Sequence, residues 1–472
     1  MSEGDDGPGR VLAADDVKET GSGPAFSGPQ RWAVLAAFAL LVAFRLPKAW
    51  VHGRFQDEEA AVFLAYAWHF PWADALFRPF AGYWNLAGSA ISVLTVWLVR
   101  SGVLPLEQAP YLTMSIALAA QLLPAALILT GKAPWLTRRI AVIAALLIIG
   151  TLPATEEIFF YILHIQFHLA LCVALILALD VPTRRRARIG YGVLLFLGPL
   201  CGPGSIVLLP LFALRAAIDG GRGRAVQLAV LAAGSAIQLL LFFGSSSLRG
   251  HVADPATLAA AMFVRLIALP LLGVGLTNWV ANAIHGSELA GGNLWWGAAA
   301  AAIVLFTALL AIAARRRDGA VWLVLSALAL ATVSLGFGIV IVNPADVFSV
   351  VEGERYNFLP LALLGLAIIA LWTRPGFKGK SACAVLGTVM LLNGAIAYRK
   401  PAPAFADGPA WPTEVAAWRA NHDHPLAVWP RPWTADLSDK SRACSPTTPD
   451  LARSDDPRYC ESGWIAAFYR RN

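Results

Sequence analysis

Charge is scarce in this chain. Only 14% of its 472 residues are Asp, Glu, Lys or Arg, against 57% that are hydrophobic, and the mean hydropathy is +0.61. That balance excludes a soluble globular protein and implies an all-α polytopic membrane protein. The surplus of +7 does not imply a nucleic-acid partner. Its cations sit in short blocks between apolar runs (Arg138-Arg139, Arg184-Arg185-Arg186, Arg315-Arg316-Arg317 and residues 374–380), as cytoplasmic loops do. Cysteine is also rare: the 5 present have no metal-ligand spacing. Cys172, Cys201 and Cys383 lie in apolar runs. Cys444 and Cys460 lie in a polar tail, where they could form a disulfide in an oxidising compartment. The chain has no Gly-rich nucleotide cradle, no Gly-x-Ser-x-Gly turn and no His-Glu-x-x-His helix, which removes the corresponding chemistries. It shows no fixed repeat period and no basic start of a secretory signal, so the first apolar helix is expected to stay as an anchor.

What is present is a series of apolar runs. Residues 1–30, rich in Gly, Asp, Glu, Ser and Pro, are expected to be a disordered cytoplasmic tail. Residues 31–397 form the membrane domain, with about 9–12 membrane helices. Residues 32–50 read as the first crossing, residues 60–70 as an interfacial amphipathic helix, and residues 86–99 as a shallow outer segment, because that choice alone keeps every basic block inside. Further crossings are expected at 111–130, 140–152, 158–179, 226–243, 294–313, 321–342, 358–372 and 382–397. Residues 191–214 contain Gly198-Pro199 and Gly202-Pro203-Gly204 and read as two half-helices. Residues 245–293 read as a long outer connection with an amphipathic middle. The tail, 398–472, is expected to be a small extracytoplasmic domain whose Trp411, Trp418, Trp429, Trp433 and Trp464 pack as a core.

Two acidic groups fall on the same expected face of the membrane. Asp57-Glu58-Glu59 follows the first run and Glu156-Glu157 follows the run at 140–152. Charge so close to hydrocarbon is costly unless it faces water, a cavity or a partner. Glu157, Tyr161, His164 and His168 are spaced four, three and four and would share one face of a helix, either as a site or as a polar seam between helices. Glu352-Gly353-Glu354-Arg355-Tyr356 stands at the outer end of another helix. There Arg355 could hold a phosphate, or pair with Glu352 or Glu354. Arg45 and Lys48 would snorkel to headgroups or meet a lipid phosphate. Arg249, His251, Arg265 and His285 are weaker candidates. A carboxylate can take a proton from an attacking hydroxyl or hold a divalent cation, and cations can steady a departing phosphate.

Gln56-Asp57-Glu58, followed by Arg78-Pro79-Phe80-Ala81-Gly82-Tyr83-Trp84, resembles the first outer loop of GT-C membrane glycosyltransferases, nearest the lipid A aminoarabinose transferase and protein O-mannosyltransferase branch. The likeness covers roughly the first 180 residues of the 472. It implies a GT-C-like helical bundle with a large first outer loop, and an inverting transfer from a polyprenyl-phosphate sugar donor, often with a divalent cation. It implies Asp57 as the leading catalytic carboxylate, with Glu58 beside it and Glu156 or Glu157 as partner. Beside what the resemblance implies, Asp57 and Glu157 are candidate metal ligands, and Arg78, Tyr83, His164, His168, Arg355 and Tyr356 candidate substrate- or phosphate-binding residues. The chain departs from that pattern in a short interval between Asp57 and Pro79 and in a Glu pair where Asp is usual. The expected setting is a bacterial plasma membrane with the lipid bilayer as solvent and a cell-envelope acceptor. Two other classes fit the same runs: a transporter or flippase of a lipid-linked saccharide, and a non-catalytic envelope assembly protein.

Overall fold

The computed structural model describes residues 25–80, 82–244, 254–316, 318–338 and 347–438. Cys444, Cys460, Trp464, Arg249 and His251 lie outside the described residues.

Helix α1 (Gly28–Ala43) starts where the Ser27 N–H donates to the Gln30 side chain at 3.1 Å, a capping contact at the helix start. It does not run on to residue 50. Pro47 disfavours helical backbone at Leu46, which sits at φ −130° and ψ 71°, and α2 (Pro47–His52) begins afresh with Pro at its first position. The single crossing expected over 32–50 is therefore two helices with a break at Arg45. After the acidic loop comes a π-helical turn, Glu59–Leu64, then α3 (Ala65–His69) and α4 (Trp72–Phe77). Residues 60–67 are buried, so this is a packed element and not the surface-lying helix expected over 60–70. Helix α5 (Leu86–Arg100) has 15 residues, fewer than the about 20 a span needs.

The bundle continues with α6 (Ala109–Thr130), α7 (Arg139–Thr151), α8 (Ile165–Ala178), α9 (Arg185–Cys201), α10 (Leu209–Asp219) and α11 (Arg222–Gly244). The break between α9 and α10 falls at Gly202, as expected for two half-helices, and a Cβ there would lie 2.0 Å from Gln166 Oε1. Next come α12 (Pro255–Met262), a π-helical turn and α13 (Leu269–Leu289). They form one apolar helical stretch of 35 residues, kinked at Gly273 with φ 74°. This replaces the outer connection expected over 245–293. The reason is Arg265: it is fully buried and donates to the Val347 carbonyl (3.0 Å), Asn357 Oδ1 (3.0 Å) and the Glu352 carbonyl (2.8 Å), so its charge does not hold the segment in water. Helices α14 (Leu294–Ala314), α15 (Gly319–Val333), α16 (Arg355–Thr373) and α17 (Lys380–Arg399) complete the bundle.

Among the described residues seven helical stretches are long and apolar enough to cross a membrane. Their outward faces carry large apolar side chains such as Leu240, Phe243, Leu276, Val304 and Leu392, a surface that only lipid or another apolar partner can cover. The protein is a multi-pass, helical membrane protein.

The tail contributes α18 (Pro403–Ala406), α19 (Trp411–Ala420) and a two-stranded ribbon, β1 (Leu426–Ala427) with β2 (Thr434–Ala435). Among the described residues the tail shows no core to itself. Trp411, Val415, Trp418, Leu426 and Leu437 pack with Phe55, Leu64, Tyr66 and Leu106 in one cluster. The tryptophans of α19 are packing residues, as expected, but Trp411 packs on Phe55 of the acidic loop and Trp418 on Trp68 of α3.

Candidate functional site

The site is built from four stretches that lie far apart in sequence: the loop at 54–59, the α7–α8 connection at 152–164, the start of α16, and Trp429 of the tail. The connection is irregular where a helix was expected over 158–179. It has short 3-10 turns at Glu156–Ile158 and Ile162–His164, and left-handed backbone at Ala154 (φ 49°) and Phe160 (φ 58°). Long-range donors hold it in that shape. Gln56 Nε2 donates to the Glu157 carbonyl at 3.1 Å, Gln121 Nε2 to the Ile158 carbonyl at 3.3 Å, and Arg54 to the Phe159 carbonyl. Three successive carbonyls are thus engaged by side chains from distant stretches in place of the backbone N–H groups of a helical ladder.

The four-residue stripe therefore does not exist as a helix face. Tyr161 and His164 nevertheless reach the acidic group. The Tyr161 hydroxyl donates to Glu58 Oε2 at 2.8 Å, and the His164 Nε2 lies 3.9 Å from Glu157 Oε1. His168 does not reach it. Its ring is buried on α8 against Phe358 (5.0 Å) and Phe159 (6.5 Å), so its expected part in substrate binding is withdrawn.

Arg355 pairs with Glu157, not with Glu352 or Glu354. Its guanidinium donates to Glu157 Oε1, and its backbone N–H lies 3.3 Å from Glu157 Oε2. Glu354 accepts the backbone N–H of Glu157. The Tyr356 hydroxyl donates to the Gly338 carbonyl at 2.6 Å, and its ring lies 5.1 Å from the Arg355 guanidinium. Arg45 does not snorkel. It is buried and donates to Glu156 Oε1 at 2.9 Å and to the Gly150 and Leu152 carbonyls at 2.8 and 2.7 Å, capping α7 as cations cap helix C-termini. Lys48 pairs instead with Asp407 of the tail, and His285 lies beside Glu288 on α13.

Arg78 and Tyr83 lie on the stretch between α4 and α5. Arg78 donates to the Tyr66 hydroxyl and lies over its ring at 4.2 Å. Phe80 and Tyr83 exchange backbone hydrogen bonds across Gly82, which has φ 82°, a turn that favours glycine. Gln166 Nε2 donates to the Tyr83 hydroxyl at 3.3 Å, so the turn docks on the start of α8.

Six carboxyl groups (Asp57, Glu58, Glu59, Glu156, Glu157, Glu354) thus face three guanidinium groups (Arg45, Arg54, Arg355). Burial, then the neighbouring Glu58 and Glu157, push the Asp57 carboxyl well above the usual carboxylate range. Burial pushes Glu59 up to about 8 and pulls Arg54 down to about 10, so at neutral pH Glu59 is a neutral acid and Arg54 a cation. Burial, with Glu156 and Glu157, also raises Glu354. Asp57 thereby binds a proton more tightly than an ordinary carboxylate. Among the described residues no three Asp, Glu, His or Cys side chains stand together as a metal-ligand set, and Glu157 already holds a guanidinium. Asp57 and Glu157 would be two of the oxygen ligands of a divalent ion, which takes about six.

Residues that sequence reasoning overlooked are Arg54, Gln121 and Asn357. Of these only Arg54, three positions before Asp57, carried a visible signal.

Glu59 yields a prediction on stability. Its folded value of about 8 lies above the ordinary 4.5, so the folded state binds a proton more tightly than the unfolded one. That contribution is complete below the ordinary value and is lost as pH rises to the folded value. Glu59→Gln should flatten the decline in thermal midpoint across that window and stabilise the protein at alkaline pH by about 1–3 kcal/mol. Parallel pH profiles for wild type and Glu59→Gln would show that Glu59 is not held neutral.

No protein-family model, curated protein or solved structure matches the chain.

Proposed function

We propose that this multi-pass membrane protein is a glycosyltransferase of GT-C type. In this reading it moves a sugar from a polyprenyl-phosphate-linked donor to a cell-envelope acceptor (a glycan, lipid or protein) on the outer face of a bacterial plasma membrane. The observation that carries the reading is the meeting of Asp57, Glu157 and Arg355 from three distant stretches, with Arg355 and Glu157 in direct contact. Asp57 takes the proton of the acceptor hydroxyl as that oxygen attacks the anomeric carbon, and the bond from that carbon to the donor phosphate breaks. Arg355 steadies the departing phosphate, Glu157 holds Arg355 in place, and Tyr161 orients Glu58 at the rim.

A second reading, a transporter of a lipid-linked saccharide, is favoured by the breaks at Gly202 and Gly273, since broken helices line transport sites. Purified protein in liposomes with a labelled polyprenyl-phosphate sugar separates the two. The glycosyltransferase consumes donor and releases polyprenyl phosphate; a transporter moves donor to the other leaflet intact. Arg355→Gln should cut donor consumption by about 10²-fold if Arg355 meets the leaving phosphate. Intact donor throughout, with movement between leaflets, would overturn the proposal.

A further inference from the structure

The tail does more than cover the acidic loop. Asp57 has φ 39°, a left-handed conformation that Asp visits only occasionally and keeps where the surroundings over-determine it. The surroundings here include Trp429. Gln56 and Trp429 pair as a parallel bridge. The Trp429 N–H donates to the Phe55 carbonyl at 3.0 Å, and the Asp57 N–H donates to the Trp429 carbonyl at 2.6 Å. The backbone on both sides of Gln56 is thus tied to one residue of the tail.

Trp429 is itself fixed. Its indole is 1% exposed and its Nε1 donates to the Pro409 carbonyl at 2.8 Å. Gly408 lies flat against the ring, so that a Cβ at Gly408 would come within 2.6 Å of it. The ring also has Arg54 at 5.8 Å and His52 at 6.1 Å. Nearby, the Trp411 ring meets Phe55 at 4.7 Å, and its Nε1 donates to the Leu106 carbonyl at 2.8 Å.

We propose that Trp429 is a positioning residue: seated by Gly408 and Pro409, it holds the Asp57 backbone in its left-handed conformation and so aims the carboxylate into the site shared with Glu157 and Arg355. This inference rests on the glycosyltransferase reading for its effect on turnover, but the contact has a readout of its own. Without the indole the two backbone hydrogen bonds loosen, the loop relaxes, and the carboxylate leaves its working place.

The test uses full-length protein in lipid nanodiscs with a polyprenyl-phosphate sugar. Trp429→Ala, and independently Gly408→Val, should lower kcat by about tenfold to a hundredfold, as an ångström-scale misplacement does, with donor KM within about threefold. Trp429→Phe should recover most of the loss by refilling the seat. Amide hydrogen exchange at residues 55–58 should speed up in Trp429→Ala and Gly408→Val and stay slow in Trp429→Phe. Unchanged exchange would overturn the docking. Faster exchange with unchanged kcat would overturn the positioning role while leaving Asp57 as the base. If Asp57→Asn also leaves turnover intact, Asp57 is not the base and the positioning role fails with it; donor left intact by the wild type would instead overturn the glycosyltransferase reading. Gly408→Val serves if Trp429→Ala does not fold.

Discussion

Asp57→Asn is expected to lower turnover of a polyprenyl-phosphate sugar by ~10²-fold or more, with donor KM shifted less than about threefold. The substitution is nearly isosteric, and Asn accepts the left-handed backbone of this position (φ 39°) as readily as Asp. The hydrogen bond from Gln56 Nε2, 3.1 Å in the wild type, can be kept by the amide oxygen. What disappears is the capacity to take up a proton. The other carboxyl groups are poorer candidates for that task. Glu157 is engaged by Arg355 and Glu156 by Arg45, Glu59 is fully buried, and Glu58 already accepts the Tyr161 hydroxyl. Asp57 is buried with Glu58 and Glu157 near it, which raises its affinity for a proton. A base must be ionised to act, so wild-type kcat should fall as pH drops through the raised Asp57 value. In Asp57→Asn the residual rate should lack that limb. Turnover equal to wild type in Asp57→Asn would overturn the assignment.

The membrane class, the break at Gly202 and the packing role of the tail tryptophans were legible because each depends on local composition. So was the meeting of the acidic loop at 56–59 with Glu156-Glu157. The misreadings share a cause: a charged side chain whose partner lies far along the chain. Arg45 looks like a snorkelling residue until the carbonyls of Gly150 and Leu152 are placed against it. Arg265 looks like a mark of an outer loop until Asn357 and the Glu352 carbonyl receive it. The spacing of Glu157, Tyr161, His164 and His168 describes a stripe only on a continuous helix. Arg54, Gln56 and Gln121 pull the carbonyls of that stretch out of helical pairing, and nothing in the local pattern announces them. Conversely, the apolar run over 32–50 hides Pro47, a plain local signal that outweighs the hydropathy around it. The neighbours of the acidic loop were the least legible feature, since Trp429 enters the site through its backbone.

Arg45→Ala should destabilise the protein by ~3–5 kcal/mol, the cost of removing one partner from a buried ion pair. Arg45 is 1% exposed and Glu156 2%. Besides the Glu156 carboxylate, the guanidinium serves the carbonyls of Gly150 and Leu152 and the Thr155 hydroxyl. After its removal Glu156 keeps the Thr155 N–H at 3.1 Å but faces no guanidinium of its own, and the last turn of α7 loses its cap. Arg45→Lys keeps the charge without the planar fork, so it should fall between wild type and Arg45→Ala. The paired variant Arg45→Met/Glu156→Gln should be more stable than Arg45→Ala, because no unpaired charge is left buried. The control is Lys48→Ala three positions on, which breaks an ion pair whose side chains are both about half exposed and should move the thermal midpoint little. Thermal unfolding in detergent reads all four. The order matters for the site as well, because the α7 end that Arg45 caps leads directly into Glu156 and Glu157. If Arg45→Ala shifts the midpoint no more than Lys48→Ala does, Arg45 is not the bolt between the first helix break and the acidic connection, and Glu157 must owe its place to Arg355 and the captured carbonyls alone.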